Sequence, residues 1–244
     1  MDINQKLTEE LNVKRWQIDA AVKLIDEGNT IPFISRYRKE VTGSLNDEQL
    51  RKLHERLMYL RNLEEKKEQV ISSIEEQEKM TEELRSQILA AETLVTVEDL
   101  YRPYRPKRRT RATIAKEKGL EPLAAYILLQ NAKEPLEETA KQYISEDKEV
   151  LTAADAIAGA KDIIAESISD NADYRTWIRR TTMKKGKIVS TAKDQESESV
   201  YEMYYEFEEP VSKLAGHRIL ALNRGEKEKF LNVKVEAPED EILT

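Results

Sequence analysis

The chain of 244 residues has no cysteine, two histidines, three phenylalanines and seven glycines. Without cysteine there is no disulfide, no thiolate nucleophile and no cysteine metal site, a composition that suits a reducing cytosol. His54 and His217 have no metal-ligand spacing. No Gly-rich phosphate loop occurs, and the few glycines leave little room for one. No apolar run approaches the ~18–20 residues that cross a bilayer, and Met1 is followed by the polar DINQK rather than an apolar leader. These absences argue against an enzyme, a metal or cofactor, a small-molecule substrate and a membrane partner, and they lead us to expect a cytoplasmic protein. The paired acids Glu64-Glu65 and Glu75-Glu76 sit on a stretch with helical periodicity, where a solvated face is expected rather than an acid/base pair.

What is abundant is charge, at 36% of residues against about 25% in an average soluble protein. The formal net charge is −7, but its distribution is uneven. Residues 1–100 carry −6 and residues 119–244 carry −8, whereas 101–118 hold eight Lys/Arg against the single Glu117. A second island, 174–193, has seven Lys/Arg and no acid. Any nucleic-acid affinity must therefore arise from local patches rather than from net charge. Each cation that meets a phosphate releases a condensed counterion, so such affinity falls with salt. The candidate contacts are Arg102, Arg105, Lys107, Arg108, Arg109 and Arg111 in the first island, and Arg175, Arg179, Arg180, Lys184 and Lys185 in the second.

A second reading of the same residues stays open. Arginine pairs carboxylates bidentately, so the first island also suits a strap that neutralises acidic helices. In the second island the lysines fall at a helix C-terminus, where the dipole already favours cations. Tyr101 and Tyr104 are expected to pin the chain to a core rather than stack on bases. Trp177 is expected to be a core anchor.

The periodicity is mainly α. Ile3, Leu7 and Leu11, then Trp16, Ala20, Val22 and Leu24, give two short helices in a helix-turn-helix-like pair ending at Gly28, a natural C-cap. Asn29–Ser44 reads as a loop, with Ile31 held extended by Pro32. Leucines and isoleucines from Leu50 to Ile74 predict a helix over about 46–79, capped by Ser44 or Asn46 and interrupted by Glu64 and Lys67. Thr81 starts a return helix carrying Leu84, Ile88, Leu89 and Leu94, giving a long antiparallel arm. Pro103 and Pro106 break helix in the basic stretch. Further helices are expected over 121–131, 135–144, 152–170 and 171–184, the third opening with a capping-box-like Thr152 and Asp155. Ile188 and Val189 read as extended, 194–206 as helix, and Phe230–Val235 as a strand that pairs with Lys187–Ser190 or with chain lying elsewhere. The expected domains are 1–100, a basic connector over 101–120, and a helical bundle over 121–244 with a short extended segment near its C-terminal end.

Three segments also resemble a family. TIPFISRYRKEVTGSL (30–45), YRPYRPKRRTRATIAKEKGLEPLA (101–124) and HRILALNRGEKE (217–228) resemble, in order, the N-terminal helical region of the bacterial Tex transcription accessory proteins. The resemblance implies a nucleic-acid-binding, non-catalytic role. It also implies a longer whole protein, continuing to a YqgF-like ribonuclease-H-type domain, a helix-hairpin-helix region and a C-terminal RNA-binding oligonucleotide-binding fold. The acidic finish APEDEILT likewise suggests a fragment. The leading expectation is an RNA- or DNA-binding part of a transcription accessory protein. The alternative is a scaffold that contacts RNA polymerase or the ribosome, and a hydrolase is a distant third, resting on the nuclease-like domain elsewhere in the family.

Overall fold

Asp2 accepts a hydrogen bond from the Gln5 amide at 3.0 Å and so starts α1 (Ile3–Leu11), which ends where Asn12 turns left-handed. α2 (Arg15–Asp26) closes as the glycine predicts. Gly28 lies at φ +84°, its amide bonds the Ile25 carbonyl, and Asn29 reaches back to Leu24. The next segment departs from expectation: Ile31, Pro32 and Phe33 open α3 (Ile31–Tyr37) instead of an extended loop. Proline is tolerated in a first turn, where no partner is needed for its missing N–H, and the helix seats Ile34 fully inside the core.

α4 (Asp47–Glu75) is capped by Asn46 through a reciprocal box with Gln49, the amide-to-side-chain distances being 2.9 and 3.0 Å. At 1.5 Å per residue it is about 44 Å long. It stops at Glu75 rather than Lys79, and Glu78 turns left-handed at φ +55°. Leu50, Leu53, Leu57, Leu60, Leu63, Val70 and Ile74 are all buried along it. α1, α2 and α3 pack against it, so the long helix is the spine of the first unit.

The return leg is split. α5 (Glu82–Ala90), capped by Thr81, runs antiparallel to the spine, since Arg85 pairs with Glu75 and the Leu89 carbonyl meets Lys67. Thr93 then caps a separate α6 (Leu94–Tyr101). This helix runs the other way, because the Leu94 amide meets the Tyr59 hydroxyl, Glu98 meets Lys66, and Tyr101 meets Ser73.

The structure, a computed structural model, describes residues 1–130 and 134–244, and these divide into two units, Met1–Pro106 and Lys107–Thr244. The division falls inside the basic stretch. In the second unit the expected helices appear after α7 (Arg111–Glu117), the first three shortened and the last shifted by one residue. They are α8 (Glu121–Leu128), α9 (Leu136–Lys141), α10 (Ala153–Asp170) and α11 (Ala172–Lys185); position 131 of the expected 121–131 helix lies outside the described residues. α10 is the hub against which α7, α8 and α9 pack, with Ala156 and Ala160 buried in the contact. Gly159 lets Leu120 approach where any side chain would collide.

β1 (Lys187–Ala192) is the middle strand of an antiparallel sheet, flanked by β2 (Glu206–Pro210) and β3 (Leu231–Glu236). The expected pairing of the last strand with 187–190 is present, Ile188 lying opposite Val235. The helix expected over 194–206 is not. That segment holds only a 3₁₀ turn at Glu202–Tyr204 before β2, because Tyr201 and Tyr204 are drawn into a small core with Leu222 and Leu231. α12 (Gly216–Lys227) covers the sheet from the β3 side, and α13 (Glu239–Ile242) follows.

Candidate nucleic-acid interface

Tyr101 and Tyr104 are half-buried against the first unit's core, as expected of anchors. The Tyr101 hydroxyl is 3.0 Å from Ser73 Oγ, and Gln77 donates to the Tyr104 carbonyl. They fix the start of the basic stretch, from which Arg105 projects 66% exposed with Glu98 3.9 Å away. Arg102 is engaged by neighbouring groups.

Beyond Pro106 the cations of the second unit divide into two kinds. Lys107 is a strap: its ammonium pairs with Asp170 and, at 3.5 Å, with Glu166, both near the end of α10. Thr110 donates to the same Glu166, which ties residues 107–110 to that helix. Arg109 bonds Glu117 at 2.9 Å, with both groups well exposed, so the pair contributes little to stability. Arg108 and Arg111 have no carboxylate partner among the described residues. A hollow of about 250 Å³ lies beside Arg111, lined also by Lys118, Glu149, Asp155 and Asp162.

α11 shows the same division. Lys185 is closed off by Glu241 at 2.6 Å, and Arg175 and Arg179 are engaged by neighbouring groups. Just past the helix, Lys187 pairs with Glu208, whose carboxylate raises the lysine pKa. Arg180 and Lys184 have no carboxylate partner among the described residues. Trp177 corrects an expectation: it is 45% exposed and not a core anchor, because the only buried residue of this helix is Thr181. Trp177, Arg180 and Lys184 stand at i, i+3 and i+7 and therefore share one helical face.

Glu64 also differs from expectation. Far from being a solvated acid, it is 24% exposed and lies 2.9 Å from the nearly buried Lys67 ammonium and 2.9 Å from the Met1 amino group. Burial pushes its carboxyl pKa up, but the two ammonium groups outweigh that and leave it below the ordinary value.

One cationic cluster escaped the charge count. Arg36, Arg38 and Lys39, around the end of α3, have no carboxylate partner among the described residues, and Tyr37 between them is 65% exposed. Neighbouring Asp26, Glu27 and Glu40 dilute the net charge of this region, so counting charge conceals it. A run of three cations around an aromatic was the signal available. Among the described residues no group of three or more acidic or histidine side chains is arranged to hold a metal, and no helix is long and apolar enough to cross a membrane.

Comparison with known proteins accounts for most of the chain. Residues 1–75 match the Tex-like protein N-terminal domain and residues 130–243 match the Tex central region. The chain is 43% identical to the transcriptional accessory protein Tex of Neisseria gonorrhoeae over 248 residues, which is all of this chain and 32% of that protein. It is 50% identical to the uncharacterized protein YdcI of Bacillus subtilis, over 98% of this chain and 34% of the relative. It is 32% identical to the human S1 RNA-binding domain-containing protein 1, over 96% of this chain and 24% of the relative. The chain thus spans about a third of the length of the curated bacterial relatives and less of the human one. With two models of one family matching residues 1–75 and 130–243, and a relative of that name aligned along its whole length, this chain belongs to the Tex family.

Proposed function

We propose that this chain is the nucleic-acid-contacting, non-catalytic N-terminal and central part of a Tex-like transcription accessory protein. In this reading it meets RNA through the phosphate backbone with Arg108, Arg111, Arg180 and Lys184, and Trp177 offers a ring on which a base stacks. The observation that carries the reading is selective neutralisation. In a chain with 47 acids and 40 Lys/Arg, these four cations are left without carboxylate partners among the described residues while Lys107, Arg109 and Lys185 are paired beside them. The names of the relatives, a transcriptional accessory protein and an S1 RNA-binding protein, are consistent with it.

The experiment is a salt titration of binding to a labelled single-stranded RNA. Four phosphate contacts contribute about −3 to the slope of log affinity against log salt, at about −0.7 each. Replacing the four residues together by Gln is expected to remove that contribution equally for all sequences, with the RNA recovered uncut. An unchanged affinity and slope would sink this reading. A second reading, a scaffold for RNA polymerase or the ribosome, is favoured by the exposed Tyr174, Trp177 and Met183 of α11. It gains if the four-site variant keeps RNA affinity while Trp177→Ala loses a protein partner.

A further inference from the structure

Arg38 is held without being neutralised. Its guanidinium lies over the Phe33 ring, 5.1 Å from the centroid, and its Nη1 donates to the Tyr37 carbonyl at 3.0 Å. Phe33 in turn meets Tyr37 at 5.3 Å between ring centroids, the planes tilted by 46°. The result is an arginine fixed by a π face and a carbonyl, beside a tyrosine with one side supported by Phe33 and the rest in solvent.

The backbone beyond is fixed as well. The Arg38 carbonyl accepts from the Thr42 amide at 3.1 Å and from its hydroxyl at 3.2 Å, and the Lys39 carbonyl accepts from the Ser44 amide at 2.7 Å. Thr42 is fully buried, and Gln17 donates to the Gly43 carbonyl at 3.0 Å. Gly43 and Ser44 both take positive φ, +62° and +64°, and a side chain at Gly43 would collide with Trp16. The turn is thus built and anchored from two sides, although its cations meet no acid among the described residues. Glu40, one residue on, pairs with none of them among the described residues. Ordering charged groups before they meet a ligand removes part of the entropic cost of binding.

We infer that Arg36, Tyr37, Arg38 and Lys39 form a second contact, in the first unit, selective for single-stranded nucleic acid. The cations take phosphates and the exposed face of Tyr37 stacks on one unpaired base. Single strand is favoured over an acidic protein because an accessible aromatic ring next to fixed cations matches the alternation of base and phosphate. It is favoured over duplex because a paired base offers no free face to Tyr37. The inference rests on the nucleic-acid reading above but uses different residues, so the two can fail separately.

The test compares a labelled 12-nucleotide RNA, its duplex and a polyglutamate peptide as ligands of the full chain. Arg36→Gln with Lys39→Gln removes two cations that have no carboxylate partner among the described residues, leaving Arg38 on Phe33. This variant is expected to flatten the single-strand salt slope by about 1.4, at 0.7 per contact. Tyr37→Ala is expected to weaken single-strand binding about tenfold, within the range seen for loss of one stacked base, to leave the slope and duplex binding unchanged, and to be rescued by Tyr37→Trp. The inference is overturned if both variants bind RNA like the parent while the four-site variant of the second unit does not, an outcome that leaves the functional reading standing. It is equally overturned if the double variant loses only polyglutamate, which would mark an acidic-protein surface. If the parent binds no RNA at low salt, both fall together.

Discussion

Gly28 is at φ +84°, and nothing lies within 4 Å of where a Cβ would be, so its role is conformational and not one of packing. A left-handed residue with a Cβ costs about 1–2 kcal/mol, and β-branching makes the conformation less accessible still. Gly28→Val is therefore expected to lower the stability of the first unit by about that amount, while Gly28→Asn, which tolerates the conformation, costs much less. Urea midpoints of the two variants check this, and equal losses would mean a steric rather than a backbone cause. This glycine was legible in the sequence because its demand is local. Lys107 and Arg108 were not. They are adjacent and both cationic, yet one is paired with Asp170 on α10 and the other has no carboxylate partner among the described residues. Which neighbour finds an acid 63 residues away depends on how the chain returns, which no local pattern encodes.

Helix starts carry their own chemistry, which is why Asn46, Thr81 and Thr152 mark α4, α5 and α10 in both sequence and structure. At Thr152 the Asp155 amide donates to the hydroxyl at 3.1 Å, and Asp155 Oδ2 accepts from the Thr152 amide at 2.9 Å. Since α10 is the hub of the second unit, Thr152→Ala is expected to destabilise that unit by about 1 kcal/mol, read as an earlier unfolding transition. An unchanged transition would show that the cap is replaced by water. The misses follow another rule. α3 hid behind Pro32, whose restriction on Ile31 was outweighed by the burial of Ile34. β2 hid in EFEEP, a string rich in residues depleted from strands, which is tolerated at a sheet edge beside β1. Trp177 was misplaced because size and apolarity suggest a core, whereas α11 presents that face to solvent. In the candidate site the two islands were legible as charge. Their division into straps and unneutralised cations, and the turn at Arg36–Lys39, appear only when the carboxylates of the fold are in place.

Across the first unit, acids clamp helices onto the α4 spine. Glu10 of α1 meets Arg56 through two bonds of 2.5 and 2.8 Å, and Asp26 of α2 meets Arg61 through two of 2.7 and 2.8 Å. Glu64 of α4 pairs with Lys67, which also donates to the Leu89 carbonyl of α5. Hydrogen bonds from the arginines hold the Glu10 and Asp26 carboxyls below their ordinary values of 4.5 and 3.8. Glu64 ends below its own 4.5 although burial opposes the ammonium groups. A carboxyl whose pKa is lower folded than unfolded contributes stability that is complete above the unfolded value and disappears as pH falls through the folded one. The clamps should therefore hold from neutrality to about pH 5 and weaken progressively below about 4.5. The effect is moderate for Asp26, which is 47% exposed and screened by water. The measurement is the urea midpoint of the first unit's transition between pH 7 and pH 3, for the parent chain and for Glu10→Gln. The variant should be less stable at pH 7 and should lose less on acidification, so that the gap between the two curves narrows toward pH 3. Parallel curves would mean that the Glu10–Arg56 clamp contributes nothing to the packing of α1 on the spine, leaving that contact to Leu7 and its buried neighbours alone.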